Sequence, residues 1–381
     1  MTVQTTPSLL EADLTATADR DAAELQAAVE ALGERIFGGA LASMELATVH
    51  LGLRLGIYQA LQELGPATSE ALAASVGLDE RYLREWLEQQ AVAEILTCAN
   101  DGAAPEDRRY EVPAATAAVL LDVGTPAYLG PLAHLAVGIG VAVPAVEESF
   151  RAGGGVPFHA YGAEVRHGLG LLNGATFDRD LAAWIATMPD IDQRLRSGRR
   201  PAVLDLGCGV GRSTLALARA YPNAVIHGID LDAASVEEAR AAAAQAGLAD
   251  RVTFAVADAA ELSVAGEGRF DLVTVLEALH DMGDPVGALT SARRHLREGG
   301  AVLVADQLTR DAYAADGDPL ERFQYGCSVL HCLPATRAED HLVAHGTVIR
   351  AEHVTAWARD AGFPKVEILA IEDPFWRFYR L

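Results

Sequence analysis

The spacing of apolar positions changes character near residue 200. From about Asp21 to Arg54 they recur three and four apart, and LGIYQALQELGPATSEALAASVGLDERYLREWLEQQAVAEIL keeps that spacing with breaks at Gly65 and Gly77. This pattern predicts a series of helices. Thr68 or Ser69 stands where a cap is needed for one of them and Asp79 for the next, whose buried face would carry Leu83, Leu87 and Ala91. LTCANDGAAPEDRRYEVP then predicts a strand, a turn and a strand, so the order is helix, helix, helix, hairpin, as in a winged helix. Residues 124–200 form a connector of helical fragments broken by VGIGVAVP and RAGGGVPFHAYG. The second break is a mobile loop or an aromatic lid over a pocket, with Phe158 and Tyr161 as its substrate-facing candidates.

From Pro201 the pattern becomes strand and helix in alternation: AVLDLG, AVIHGID, RVTFAVAD, FDLVTVLE, AVLVAD, then VEILAI and FWRFYRL. Short apolar strands separated by helices predict an α/β fold, a Rossmann-like doubly wound parallel sheet covered on both faces. Ligands of such sheets lie at the C-terminal ends of the strands. The expected organisation is a disordered tail over residues 1–20, a mostly helical winged-helix domain over 21–123, a connector and substrate lid over 124–200, and the α/β domain over 201–381.

Charge narrows the partners. Fifty-three acidic against 30 basic residues give a formal net charge of -23, a field that repels phosphate backbones and anionic membranes. DERYLREWLEQQ, the would-be recognition helix, itself carries four acids and two arginines, so neither nucleic acid nor membrane is expected as a partner. The N-terminus lacks the basic and apolar regions of a signal peptide, no uninterrupted apolar span of about 20 residues is seen, and a cytoplasmic protein is expected. Cys98, Cys208, Cys327 and Cys332 form no CxxC pair and read as free thiols.

VLDLGCGVGRSTLALA places Asp205, Gly207, Gly209 and Gly211 at the first strand-to-helix turn. A glycine-rich turn also serves dinucleotides, but here an acid precedes the first glycine, where it would repel a pyrophosphate and can hold an ammonium group. Asp230 ends the next strand and suits a ribose diol; Asp258 in VADAAE can accept from an adenine amino group. Together these describe S-adenosylmethionine. With GIDLD, LEALHD and LREGG, residues 200–381 resemble the class I S-adenosylmethionine-dependent methyltransferases. The resemblance implies that Asp205, Gly207, Gly209 and Gly211 hold the methionine part, Asp230 and Leu231 the ribose, and Asp258 and Ala259 the adenine, while Leu276 passes beside the sulfonium. LGIYQAL, ERYLREWLEQQAVAEIL and YEVP resemble the winged-helix dimerisation domain of bacterial and plant small-molecule methyltransferases, which implies a homodimer.

LEALHDMGDP sets His280 beside Asp281 at the end of the fourth strand. LHDM is similar to the LHDW of plant-type O-methyltransferases, which carries their general base, and a neutral imidazole can take a hydroxyl proton at cytoplasmic pH. His331 lies in DPLERFQYGCSVLHCLP, a helical insertion after the fifth strand where Phe323, Cys327 and His331 share a face. His280, Asp281 and His331 have the composition of a facial metal site for iron or zinc. With HCLP, this set resembles metal-dependent C-methyltransferases of α-keto acids, in which the metal chelates the substrate and promotes enolisation. Three readings of the pair stand: metal ligands, a base with an orienting acid, or a turn-closing hydrogen bond. C-methylation of an α-keto acid is the first expectation and O-methylation the second, with a non-catalytic DNA-binding regulator as the competing class. His341 and His345 are outside candidates for a third ligand.

Overall fold

The structure, a computed structural model, describes residues 9–262, 269–339 and 344–381, with side chains from residue 21 onward. His341 therefore lies outside the described residues. The chain divides into two compact units, Met1–Glu111 and Val112–Leu381, so the break falls at the end of the hairpin, before the expected position near residue 123.

The first unit contains α1 (Leu9–Arg54), α2 (Ile57–Leu64), α3 (Ser69–Val76), α4 (Glu80–Val92) and the antiparallel pair β1 (Thr97–Cys98) and β2 (Tyr110–Glu111). The helix begins at Leu9, inside the stretch expected to be disordered on composition. Thr68 caps α3 by accepting from the Ala71 N–H, and Asp79 caps α4 by accepting from those of Arg81 and Tyr82. Leu83 and Leu87 face inward as the spacing predicts. Gly52 is where α1 meets the core: a Cβ there would stand 2.4 Å from both Trp86 and Tyr58. Trp86 Nε1 donates to Thr48 O at 2.8 Å, and Tyr58 and Trp86 meet edge to face, so apolar burial and a satisfied indole N–H lock α4 to α1.

The second unit opens with α5 (Ala114–Leu120), α6 (Pro131–Ala152), α7 (Gly162–Ala186) and α8 (Pro189–Ser197). Strands and helices then alternate: β3 (Ala202–Leu206), α9 (Arg212–Ala220), β4 (Val225–Asp230), α10 (Ala233–Gln245), β5 (Val252–Val256), β6 (Phe270–Leu276), α11 (Pro285–His295) and β7 (Leu296–Gln307). α12 (Pro319–Cys327), a π turn (Ser328–Cys332) and α13 (Leu333–Arg337) form the insertion, followed by α14 (Ala351–Asp360), β8 (Glu367–Ile368) and β9 (Trp376–Arg380). The sheet order is β5-β4-β3-β6-β7-β9-β8. Its first five strands are parallel; β9 runs antiparallel to both β7 and β8. β9 alone thus departs from the expected parallel direction, because the connection over 369–375 from β8 is too short for a crossover and only an antiparallel return fits.

Side chains alternate between two cores. Val203 and Leu272 pack on one face of the sheet, Leu204, Val273 and Val275 on the other, as strands covered on both sides require. Two helices, residues 21–54 and Pro131–Ala152, are long and apolar enough to cross a membrane by length and composition, although both are interrupted by charged residues. For α6 the apolar face is accounted for: Leu135, Ala142 and Val146 cluster with Val156, Tyr161, Val165 and Ala335.

Candidate active site

The strand order brings the turns after β5, β4, β3 and β6 side by side along one edge of the sheet. Gly207, Gly209 and Gly211 all have positive φ (70°, 50° and 80°), a region costly for residues with a Cβ. A Cβ at Gly207 would stand 2.5 Å from the Ala278 Cβ, and one at Gly211 2.9 Å from Phe254. Gly209 differs: among the described residues nothing lies within 4 Å of where its Cβ would be. Two of the glycines therefore let the turn pack, and the middle one leaves room above it.

Asp230 supports that turn. Its Oδ2 accepts from the Gly209 N–H at 2.7 Å and its Oδ1 from the Asp232 N–H at 2.9 Å. Burial pushes its carboxyl up, and these donors pull it back. Leu231 next to it is 49% exposed. Asp258 accepts from the Ala260 N–H at 2.8 Å, Ala259 is half-buried, and Leu276 is buried at the end of β6. These residues fit the cofactor the sequence describes: an open glycine, a carboxylate ending β4 and another following β5, in strand order.

Asp205 corrects an expectation. It is 1% exposed, and its oxygens accept from Ser213 Oγ (2.6 Å), Thr214 Oγ1 (2.6 Å) and Thr274 Oγ1 (2.7 Å). A carboxylate so engaged braces the turn between β3, α9 and β6. It is not presented to a ligand's ammonium group.

At the end of β6 the chain leaves the strand, and Leu279–Asp281 form a 3-10 turn. That resolves the geometric difficulty of neighbouring residues pointing to opposite faces of a strand, because His280 Nε2 and Asp281 Oδ1 stand 3.4 Å apart. The partner of the other nitrogen is Asp306, at the end of β7: His280 Nδ1–H donates to its Oδ1 at 2.8 Å, and the His280 backbone N–H donates to its Oδ2 at 3.2 Å. Both residues are buried. Burial pulls the imidazole down, but the carboxylates of Asp281 and Asp306 outweigh it and hold His280 well above its ordinary value.

The donor atoms of His280, Asp281 and Cys332 lie within 4.8 Å of one another. His331, the expected third ligand, is adjacent but turned: its Nδ1 is 3.4 Å from Cys332 Sγ, and its ring meets Tyr161 and Phe158 edge to face at 4.5 and 5.7 Å. The π turn thus gives Cys332 the place predicted for His331. Burial pushes the Cys332 thiol up to about 12, and a thiol is a poorer metal ligand than a thiolate. Tyr161 is buried and its hydroxyl donates to Leu330 O at 2.9 Å. The Val156 N–H donates to Pro334 O at 2.9 Å. The glycine-rich break is accordingly strapped to the insertion. Phe323, expected on the same face, is 53% exposed, and His345 packs with His353 and Trp357.

Three residues at the site escaped the sequence reading: Asp306, Cys332 and Glu277. Asp306 had a signal, an acid closing AVLVAD as Asp230 closes AVIHGID. Glu277 had none, since its left-handed φ of 56° and its sealed carboxylate belong to the fold. Its Oε1 accepts from the Gln307 amide, and burial pushes the carboxyl up to about 7.

Residues 199–349 match the family described as a methyltransferase domain, and residues 42–121 an Rv2258c-like winged HTH domain. Among curated proteins, the chain is 40% identical over 114 residues to 27-O-demethylrifamycin SV methyltransferase of Amycolatopsis mediterranei, covering 30% of this chain and 40% of that protein. It is 34% identical over 134 residues to O-methyltransferase resE of Aspergillus sclerotiorum, covering 35% and 50%. The matched part thus spans half or less of these relatives' own length. Among solved structures, the mitomycin 7-O-methyltransferase MmcR aligns over 96% of this chain and 99% of its own at 22% identity, with a TM-score of 0.56. Human N-acetylserotonin methyltransferase in complex with SAM aligns over 91% and 96% at 16% identity, with a TM-score of 0.60. At those identities the likeness is one of fold. Residues 199–349 thus carry a methyltransferase domain, preceded by an Rv2258c-like winged HTH domain over residues 42–121, on the fold shared with solved S-adenosylmethionine-dependent methyltransferases.

Proposed function

We propose that the chain is an S-adenosylmethionine-dependent O-methyltransferase of a small hydroxylated molecule, with His280 as general base and Asp306 as its orienting acid. The observation that carries this reading is the buried 2.8 Å bond from His280 Nδ1 to Asp306, which leaves Nε2, 3.4 Å from Asp281 Oδ1, as the nitrogen to take a hydroxyl's proton. When bound, the cofactor supplies an electrophilic methyl group. His280 takes the hydroxyl proton at Nε2, the freed oxygen forms the new bond to the methyl carbon, and the pair of electrons of the broken bond stays on sulfur. The two carboxylates stabilise the imidazolium so formed. Gly209, Asp230, Leu231, Asp258, Ala259 and Leu276 would hold the cofactor. The test is methyl transfer from labelled cofactor to a panel of phenols and alcohols, with His280→Ala as the control that abolishes it.

A second reading has its own observation: His280, Asp281 and Cys332 are clustered, and Asp281 Oδ1 and His331 Nε2 are buried without hydrogen-bond partners. A divalent metal held by these residues would act as a Lewis acid on an α-keto acid and favour methylation at its β-carbon. Exchange of the β-hydrogens for deuterium without methyl donor, abolished by a chelator, would establish it. Full activity in chelator with no metal in the purified protein leaves the base reading alone.

The winged-helix domain serves as a dimerisation module in this reading. Leu25, Val29, Leu32 and Ile36 recur at four, three and four positions along α1, and each is more than half exposed. Such a stripe suits a helical partner. The arginines of α4 are already paired, Arg81 with Glu85 and Arg84 with Glu80, which leaves them poor ligands for DNA phosphates. Light scattering of the full chain at micromolar concentration tests the dimer, and a clean monomer overturns it.

A further inference from the structure

Among the described residues, four side-chain atoms at the site are sealed from solvent with no hydrogen-bond partner: Glu277 Oε2, Asp281 Oδ1, Gln324 Oε1 and His331 Nε2. Buried polar groups are nearly always paired, so a cluster of unpaired ones needs a reason. Gln324 and His331 are 1% and 4% exposed. The orientation of the Gln324 amide is set by its surroundings, because its Nε2 donates to both Gln307 Oε1 (3.0 Å) and Leu308 O (3.1 Å). Its oxygen is therefore a true unpaired acceptor, and so is Glu277 Oε2, while Asp281 Oδ1 has the His280 ring nitrogen near it, at 3.4 Å.

The same residues form one connected system. Gln324 donates to Gln307, Gln307 donates to Glu277 Oε1, and Glu277 interacts electrostatically with His280, Asp281 and Asp306. Three carboxyl groups thus surround one imidazole, an excess of acidic side chains over basic ones. Glu277 is held there with a left-handed backbone, φ 56°, which a residue with a Cβ adopts at a cost. What completes such a site brings hydrogen-bond donors and a positive charge. A sulfonium brings the charge but no N–H or O–H donor, and would leave these oxygens unbonded. An ammonium group brings three donors and the charge together.

The structure assigns to Glu277 and Asp281 a binding site for a protonated amine on the methyl-accepting molecule. This rests on the O-methylation reading: the amine anchors the molecule while its hydroxyl meets His280. The substrate class is then an amino-bearing alcohol or phenol, and Glu277 sets that preference through contact with the part of the molecule that does not react.

The test is calorimetric titration of the full chain, purified in chelator and saturated with S-adenosylhomocysteine, with tyramine and separately with 4-ethylphenol, which matches its ring, hydroxyl and chain but lacks the amine. Tyramine is expected to bind at least about tenfold more tightly. Glu277→Gln is expected to erase that preference while leaving S-adenosylhomocysteine affinity unchanged. Equal affinity for the two probes, or no binding by either, overturns the proposal on the wild-type chain alone, whatever the variant's stability. A preference that survives both Glu277→Gln and Asp281→Asn overturns the assignment to these residues. So does a preference of the chain for S-adenosylmethionine over S-adenosylhomocysteine that Glu277→Gln removes while amine binding is untouched, since Glu277 would then serve the sulfonium. No methyl is transferred in these titrations, so a failed amine site leaves O-methylation standing, and failed O-methylation is read from turnover alone.

Discussion

His280 and Asp306 are joined at the C-terminal ends of adjacent strands by two hydrogen bonds, one from the ring (2.8 Å) and one from the backbone (3.2 Å). The ring bond places the proton on Nδ1 and leaves Nε2 as acceptor; the backbone bond holds the carboxylate still. Asp306→Asn offers an amide N–H to Nδ1 and so favours the opposite tautomer, with no base at Nε2. We expect kcat to fall by about 10²- to 10⁴-fold with little change in S-adenosylhomocysteine affinity. Steady-state kinetics beside calorimetry checks both; an equal loss in the two would show a folding defect and not a tautomer effect.

The pH profile follows from the same pair. Burial lowers His280, and Asp281 and Asp306 raise it further still, to well above its ordinary 6.5. The base works only when deprotonated, so kcat/KM should rise with pH through a limb lying above 6.5. Removing a carboxylate that favours the charged ring lowers its pKa, and Asp281→Asn should therefore move that limb to lower pH. A limb that stays in place in the variant sinks the coupling of His280 to Asp281.

Glu277 links the site to stability. Its carboxyl is raised to about 7 from an ordinary 4.5, so the folded chain favours the protonated form. Its contribution is most favourable at low pH and is lost as pH rises through the folded value. Glu277→Gln removes that loss. In the unliganded chain we expect a higher Tm than wild type at pH values above about 7 and a smaller difference below about 5, measured by thermal unfolding at each pH.

The two acids of the cofactor edge should behave differently. Asp205→Ala strips the acceptor from three buried hydroxyls and should cost on the order of 2–3 kcal/mol of stability. Asp230→Ala removes a half-buried carboxylate at the proposed ribose position and should chiefly weaken S-adenosylhomocysteine binding. Urea denaturation and calorimetry of both variants separate the effects.

Among the glycines, Gly207→Ala and Gly209→Ala form a controlled pair, since both have positive φ. At Gly207 the new methyl meets Ala278 and should destabilise the fold, whereas at Gly209 it meets open space and should reduce cofactor affinity more than stability. The opposite ranking would remove Gly209 from the cofactor site.

The alternating strands and helices, the winged-helix order, the caps at Thr68 and Asp79 and the acids closing successive strands were all legible in the sequence, because each is a local pattern of period, charge or turn chemistry. His280 and Asp281 were legible as neighbours for the same reason. Whether they cooperate was decided by the chain leaving β6 for a 3-10 turn, which turns both side chains together. Asp306 became the partner of His280 because β7 pairs with β6, a contact between residues 26 apart. The π turn exchanged Cys332 for His331, a rotation that helical spacing does not encode. Asp205 was read correctly as part of the turn but assigned outward, and only packing shows three hydroxyls closing over it. Periodicity records which face a residue occupies; hydrogen-bond partners come from segments distant in sequence, and only the tertiary structure brings those together.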